Sequence, residues 1–190
     1  SSSILEVENA NDLEVLRTLF ANGVVLGGQK AEAWGVRYNS NTRDYHMTKG
    51  RVAGRLISAD EALKSAAQLA SGHWKSAEET FVALYSGKMI GQFDFAFQQW
   101  VSGHGIRATW KFLDFSRKDW IPEFVAPIDK VRQKWNGGTR LVFRDFARST
   151  DERTMIAAVI PAWPCGNKVP LLAEEGQMSV THQLALCCVL

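Results

Sequence analysis

Arg144, Arg148 and Arg153 bracket a polar, turn-prone cluster at 149–153, set between two β-prone runs at 141–147 and 155–160. A guanidinium is a planar fork of donors that meets phosphate oxygens or a guanine edge bidentately, and Asp or Glu accepts from cytosine. A turn gathering these groups, with Glu152 among them, has the chemistry of nucleic-acid recognition. The same turn also reads as an ordinary solvated loop, and pattern alone does not separate the two. Glu152 and Arg153 stand equally as DNA contacts or as an ion pair that holds the fold. Arg140, Arg144 and Arg148 recur at every fourth residue, an even spacing that puts them on one strand face. Val142 and Phe146 share that face, so no clean basic stripe results. Lys88, in the turn Ser86-Gly87-Lys88, is a lesser candidate: a phosphate contact or junction residue on one reading, a solvated strand-edge lysine on the other.

Other chemistries lack their residues. His46, His73, His104 and His182 are scattered, and none pairs with a cysteine at ligand spacing, which predicts no metal site. No hydrolytic triad and no Asp…Glu-x-Lys nuclease arrangement stands out. These absences predict no catalytic residue in the chain.

The elements that would hold these residues follow from periodicity and punctuation. Asn11 and the acidic start at Asp12 and Glu14 open a helix over 12–21, with Gly23 beyond its end. Short strands are predicted at 24–26 and 34–38. Ser58-x-x-Glu61 is a capping box for a helix ending at Ser71-Gly72. Strands at 81–85 and 89–93 flank the turn at Lys88, and Gly103 and Gly105 mark a flexible link before a strand at 106–112. Pro127 fits the first position of a short helix closed by Gly137-Gly138. The pair 141–147 and 155–160 reads as a hairpin, and 181–190 begins a last helix. Strands and helices do not alternate strictly, so the fold class is α+β, mainly antiparallel strands with flanking helices.

Composition agrees with an ordinary globular chain: 190 residues, 46% hydrophobic, 22% charged, with a net charge of +2. That length can bury a substantial core as one domain over 1–190. A nearly neutral total neither demands nor excludes nucleic acid, because a local basic face matters more. The three cysteines lack a Cys-x-x-Cys spacing and point to a reducing, cytoplasmic setting. No apolar run approaches the roughly 20 residues that cross a bilayer. The Ser-Ser-Ser start and the apolar end at Leu190 suggest a piece of a longer polypeptide.

TDERTMIAAVIP (150–161), LYSGKMIGQFD (84–94) and CGNKVPLL (165–172) resemble the region that follows the catalytic domain in large bacterial adenine-specific DNA methyltransferases. These are the type IIG restriction–modification and BREX-type phage-defence enzymes. Trp34-Gly-Val-Arg37 and the segment from Asp44 to Thr48 are similar to further motifs of that family, and Phe95-Ala96 departs from its usual His-Arg. The resemblance implies a target recognition domain and its junction to the methyltransferase core of the same polypeptide. Double-stranded DNA is the implied partner, with Arg144, Arg148, Glu152, Arg153 and Lys88 as the contacts. The core would carry S-adenosylmethionine. The chain itself has neither the Gly-rich strand–turn–helix that admits this cofactor nor the (Asn/Asp/Ser)-Pro-Pro-aromatic loop that receives a flipped adenine, so no cofactor is expected in it. The competing reading is a scaffold that joins such a core to a nuclease or partner subunit without touching bases.

Overall fold

A computed structural model of the chain describes residues 9–23, 56–64, 68–70, 73–77, 79–116, 120–129, 138–148, 150–151, 153–174 and 178–190. The strands predicted at 24–26 and 34–38, the motifs at 34–37 and 44–48, most of the helix after Pro127, and Glu152 lie outside them. Within them the fold is α+β, as the unalternating order of elements predicts, and every strand ladder is antiparallel.

A five-stranded sheet runs in the order β1 (Ile57–Ser58), β7 (Phe124–Pro127), β4 (Thr80–Ala83), β3 (His73–Lys75), β2 (Gln68–Ala70). A three-stranded sheet places β8 (Thr139–Phe143) between β10 (Leu171–Glu174) and β9 (Ala157–Pro161). A two-stranded ribbon joins β5 (Gln98–Ser102) to β6 (Thr109–Phe112). Continuous apolar runs, not alternation, mark the central strands: β7 is buried at all four positions and β4 at three of four. The two larger sheets share one core, in which Val82, Val142, Ile160 and Leu171 pack with Leu84 and Ile90. At its centre the rings of Tyr85, Trp120 and Trp163 meet pairwise at centroid distances of 5.5 to 6.2 Å. Rings this close are attractive beyond their buried area.

Three helices accompany the sheets among the described residues. Helix α1 (Ala10–Asn22) starts two residues before its predicted start, because Asn9, not Asn11, is the cap and accepts from the Asp12 amide at 3.0 Å. None of its residues is buried, and Leu13, Val15, Leu19 and Phe20 are exposed. Helix α2 (Ala59–Lys64) opens with the Glu61 carboxylate accepting from the Ser58 amide and hydroxyl at 3.0 and 2.8 Å, the reach-back of a capping box. It stops well short of Ser71-Gly72. Residues 68–70 instead pair with 73–75, where Trp74 is buried, so sheet packing overrides the helix propensity of the Ala/Leu run. Helix α3 (Val180–Val189) packs across β8 and β9. The fully buried Gln183 ties it there: its amide donates to the carbonyls of Thr139 and Met178, and its oxygen accepts from the Thr139 hydroxyl. Satisfying every polar atom makes this burial tolerable.

Three more predicted elements change on folding. Residues 89–93 form no strand. A 3-10 turn at Gly87–Met89 leads into a tight turn at 91–94 that carries Phe93 at φ +60°. A Cβ at Gly91 would lie 2.7 Å from the Phe97 ring, so only glycine fits that approach. The expected flexible link at Gly103 and Gly105 is the tip of the ribbon, with φ of +71° and +61°, and the Trp100 indole donates to the Gly103 carbonyl. Gly105–Arg107 forms a 3-10 turn, so β6 begins only at Thr109. Pro127 closes β7 opposite Phe81 and does not open a helix, and the helical residues begin after it at Ile128.

Candidate nucleic-acid interface

The loop from Arg144 to Ile156 connects β8 to β9, as the hairpin reading requires. Its base is closed by the Arg144 amide donating to the Ile156 carbonyl at 3.0 Å. Its tip folds on Asp151: the carboxylate accepts from the Arg148 amide at 2.8 Å, and the Asp151 amide donates back to the Arg148 carbonyl at 3.0 Å. This reciprocal pair, a backbone turn closed a second time by the Asp151 side chain reaching back, sets a local shape from within the loop. The arrangement fixes the backbone at Arg148 and leaves its side chain exposed.

The other wall of this region is the turn at 91–94. The Phe93 amide donates to the Ala157 carbonyl at 3.0 Å, and the Gln92 side chain accepts from the Ala157 amide at 3.0 Å. Two arginines from the β8–β9 loop close on the same turn. Arg144 donates through Nε to the Ile90 carbonyl at 2.7 Å and sets its guanidinium 5.4 Å from the centre of the Phe97 ring. Arg153 stands 5.7 Å over the ring of Phe93, a residue 53% exposed. Lys88, on the 3-10 turn just before Ile90, lies 5.8 Å over Trp110. Phe97 in turn meets Phe112 edge-on at 5.1 Å. Segments far apart in sequence thus converge on residues 88–97, and four of the five predicted contacts are seen to do so or to border them: Lys88, Arg144 and Arg153 directly, Arg148 on the adjoining loop.

The electrostatics separate these cations. Burial pulls the Arg144 guanidinium down from its ordinary pKa; Asp151 opposes this and Arg148 adds to it. Arg144 is therefore half-buried with one donor committed to holding the loop on the turn. Arg148, Arg153 and Lys88 are exposed. A cation resting on a ring keeps its outward N–H groups free to meet an anion while losing little freedom in doing so, and such contacts contribute about 0.5–1 kcal/mol at exposed sites. Arg140 is not part of this face. It is 4% exposed and donates to the Trp163 carbonyl at 3.1 Å inside the fold, which removes it from any basic stripe.

Sequence reading missed the aromatic partners and a fourth such pair. Lys168 lies 4.0 Å over Phe146 and 3.3 Å from the Asp145 carboxylate, while the Asp145 amide donates to the Lys168 carbonyl. The aromatic residues themselves (Phe93, Phe97, Trp110, Phe146) were the available signal in the sequence, though nothing local says which cation covers which ring. Among the described residues no three His, Cys, Asp or Glu side chains stand close enough together to hold a metal ion. Among them, too, no helix is long and apolar enough to cross a membrane. No family model, no curated protein and no solved structure matches the chain.

Proposed function

We propose that this chain is the DNA-target-recognition part of an S-adenosylmethionine-dependent adenine-N6 DNA methyltransferase of a restriction–modification or phage-defence system. The observation that carries the proposal is the gathering of Lys88, Arg144 and Arg153 on one aromatic-lined turn, with Arg148 beside them. The resemblance of 84–94, 141–161 and 165–172 to that enzyme family supports it. Arg148 and Lys88 are phosphate contacts, which position a duplex without reading it. Arg153, held over Phe93, and Glu152 are the base-edge candidates, to guanine and cytosine respectively. Arg144 fixes the loop and turns its remaining donors toward the same backbone. The cofactor and the base-flipping loop belong to the methyltransferase core of the same polypeptide, a cytoplasmic enzyme on this reading.

A second reading draws on α1. Its exposed Leu13, Leu19 and Phe20 give a scaffold something to dock on a larger body. The two readings part in a duplex-binding titration. The recognition reading requires binding that weakens with salt and that responds to Arg148→Ala and Arg153→Ala. The scaffold reading requires that neither variant alter DNA binding.

A further inference from the structure

The β5–β6 ribbon turns its two faces to different tasks. Its register pairs Trp100 with Trp110 and Gln98 with Phe112 on one face, and Gln99 with Lys111 on the other. Trp100 is buried and Trp110 packs beside it, so the first face is turned inward at that pair, while Phe112 at its far end is exposed. A register shift between Trp100 and Ser102 brings Ser102 opposite Thr109 and adds both to the second face, with Val101 at the bulge. Val101, Ser102, Thr109 and Lys111 are exposed, and Gln99 is half-exposed.

Every one of these outward residues is a type that reads base edges. A Gln amide matches adenine N6 and N7, Lys meets guanine O6 and N7, Ser and Thr serve either, and the Val and Thr methyls touch the thymine methyl. An ordinary solvated ribbon mixes in carboxylates. Here residues 95–113 contain no Asp or Glu, while they include Arg107 and Lys111. The two bordering carboxylates are turned to local work: Asp94 accepts from the Ala96 amide, and Asp114 from the Ser116 amide. At the ribbon tip Glu123 is buried and accepts from the Gly105 amide at 2.9 Å, with His104 Nδ1 3.6 Å away, and Asp60 at the start of α2 also lies near enough to His104 to feel its charge.

The ribbon is also held in place before any ligand arrives. Its Trp100 amide donates to the Ile121 carbonyl at 2.8 Å, and the Leu113 amide to the Phe97 carbonyl at 3.0 Å. His104 stacks between Trp100 and Phe124. Through the face opposite Gln99 and Lys111, Phe112 and Trp110 meet Phe97 and Lys88 respectively, so the ribbon packs directly on the cationic turn described above.

We infer that the outward face of the β5–β6 ribbon enters the major groove of duplex DNA and reads bases there, with Gln99 and Lys111 as the specificity-determining pair. A groove about 12 Å wide admits a two-stranded ribbon whose strands lie about 4.8 Å apart. The inference rests on the DNA reading above and adds, beside its base-edge candidates Arg153 and Glu152, two base-reading residues which that reading does not use.

Selection from a randomised duplex pool tests it, with bound duplexes sequenced for the wild-type chain, Gln99→Ala, Lys111→Ala and Arg148→Ala. The wild-type chain enriches a site. Gln99→Ala and Lys111→Ala each flatten the preference at one or two base pairs by about 5- to 100-fold, with binding to an unrelated duplex within about twofold of wild type. Arg148→Ala lowers binding to all duplexes alike. Lys111 is exposed, so its variant reports even where Gln99→Ala melts early. Unchanged preferences in both ribbon variants overturn the inference while leaving the DNA reading in place. Wild-type binding without site preference, or tighter binding to single strands than to duplex, overturns it as well. No duplex binding at all overturns both readings together.

Discussion

Arg144 donates through Nε to the carbonyl of Ile90 at 2.7 Å, a bond spanning 54 positions of sequence. It joins the β8–β9 loop to the turn that carries Phe93, and both groups are withdrawn from water. Removing the guanidinium leaves that carbonyl without its donor and the Phe97 ring without its cation.

Arg144→Ala therefore costs stability: about 2 kcal/mol for a charged hydrogen bond in a half-buried setting. In a chain of this size that lowers the melting temperature by roughly 4–8 °C. Arg148→Ala, fully on the surface, changes stability by no more than about 0.5 kcal/mol. Thermal melts followed by circular dichroism decide this, and equal melting of Arg144→Ala and wild type would remove Arg144 from its clamping role.

The Tyr85 hydroxyl is buried with no hydrogen-bond partner, and burial pushes its pKa well above the ordinary phenol value, with Cys165 and Asp94 adding to the effect. Tyr85→Phe removes an unsatisfied group and raises stability by about 1 kcal/mol near neutral pH. The sign of the pH dependence follows from the raised value. The neutral phenol favours the fold, so this contribution is complete below the ordinary value of 10.0 and drains as pH climbs from there toward the folded one. Urea unfolding at about pH 8 and about pH 11 should show wild type losing more stability than Tyr85→Phe. Parallel losses in the two proteins would contradict the assignment.

Cys165 and Cys187 are buried and Cys188 is exposed. Burial first, then Cys188, pushes the Cys187 thiol up, against a lowering from the Val159 backbone. Thiolate is the reactive form, so the folded chain should titrate one thiol and the denatured chain all three. Cys188→Ser should abolish the native reaction. Rapid labelling of three thiols in the folded protein would show that α3 does not cover β8 and β9 as described.

S-adenosylmethionine should not bind this chain, because the Gly-rich strand–turn–helix that would admit it is missing from the sequence. Calorimetric titration with clear stoichiometric binding at micromolar cofactor would force a different location for that site.

The elements legible in the sequence were those with local signals. The β8–β9 hairpin announced itself through β-prone runs around a polar cluster, and α3 through a continuous apolar helix after Ser179. Elements decided by distant partners were misread. Residues 65–70 carry helix-forming side chains, yet 68–70 pair with the strand bearing the buried Trp74. Residues 89–93 look like a strand because Met89 and Ile90 are apolar, but the Phe97 ring beneath Gly91 and the Phe93–Ala157 bond fold them into a turn. The candidate site divides in the same way. Residue types picked out Lys88, Arg148 and Arg153, whereas their ring partners, and the clamping position of Arg144, depend on contacts that no local spacing encodes.

The central claim is that the cations at residues 88–97 and 144–153 meet duplex DNA, Lys88, Arg144 and Arg148 on phosphates and Arg153 on a base edge. The most direct test is the salt dependence of duplex binding, followed by fluorescence anisotropy. With three or four cationic contacts, a plot of log affinity against log salt should fall with a slope of roughly −3 to −4, about −0.9 per neutralised phosphate. Arg148→Ala should flatten it by about one unit, and Arg153→Ala should relax the chain's preference among duplex sites at a cost of roughly 1–3 kcal/mol. A slope unchanged in Arg148→Ala together with an unchanged site choice in Arg153→Ala would contradict the account.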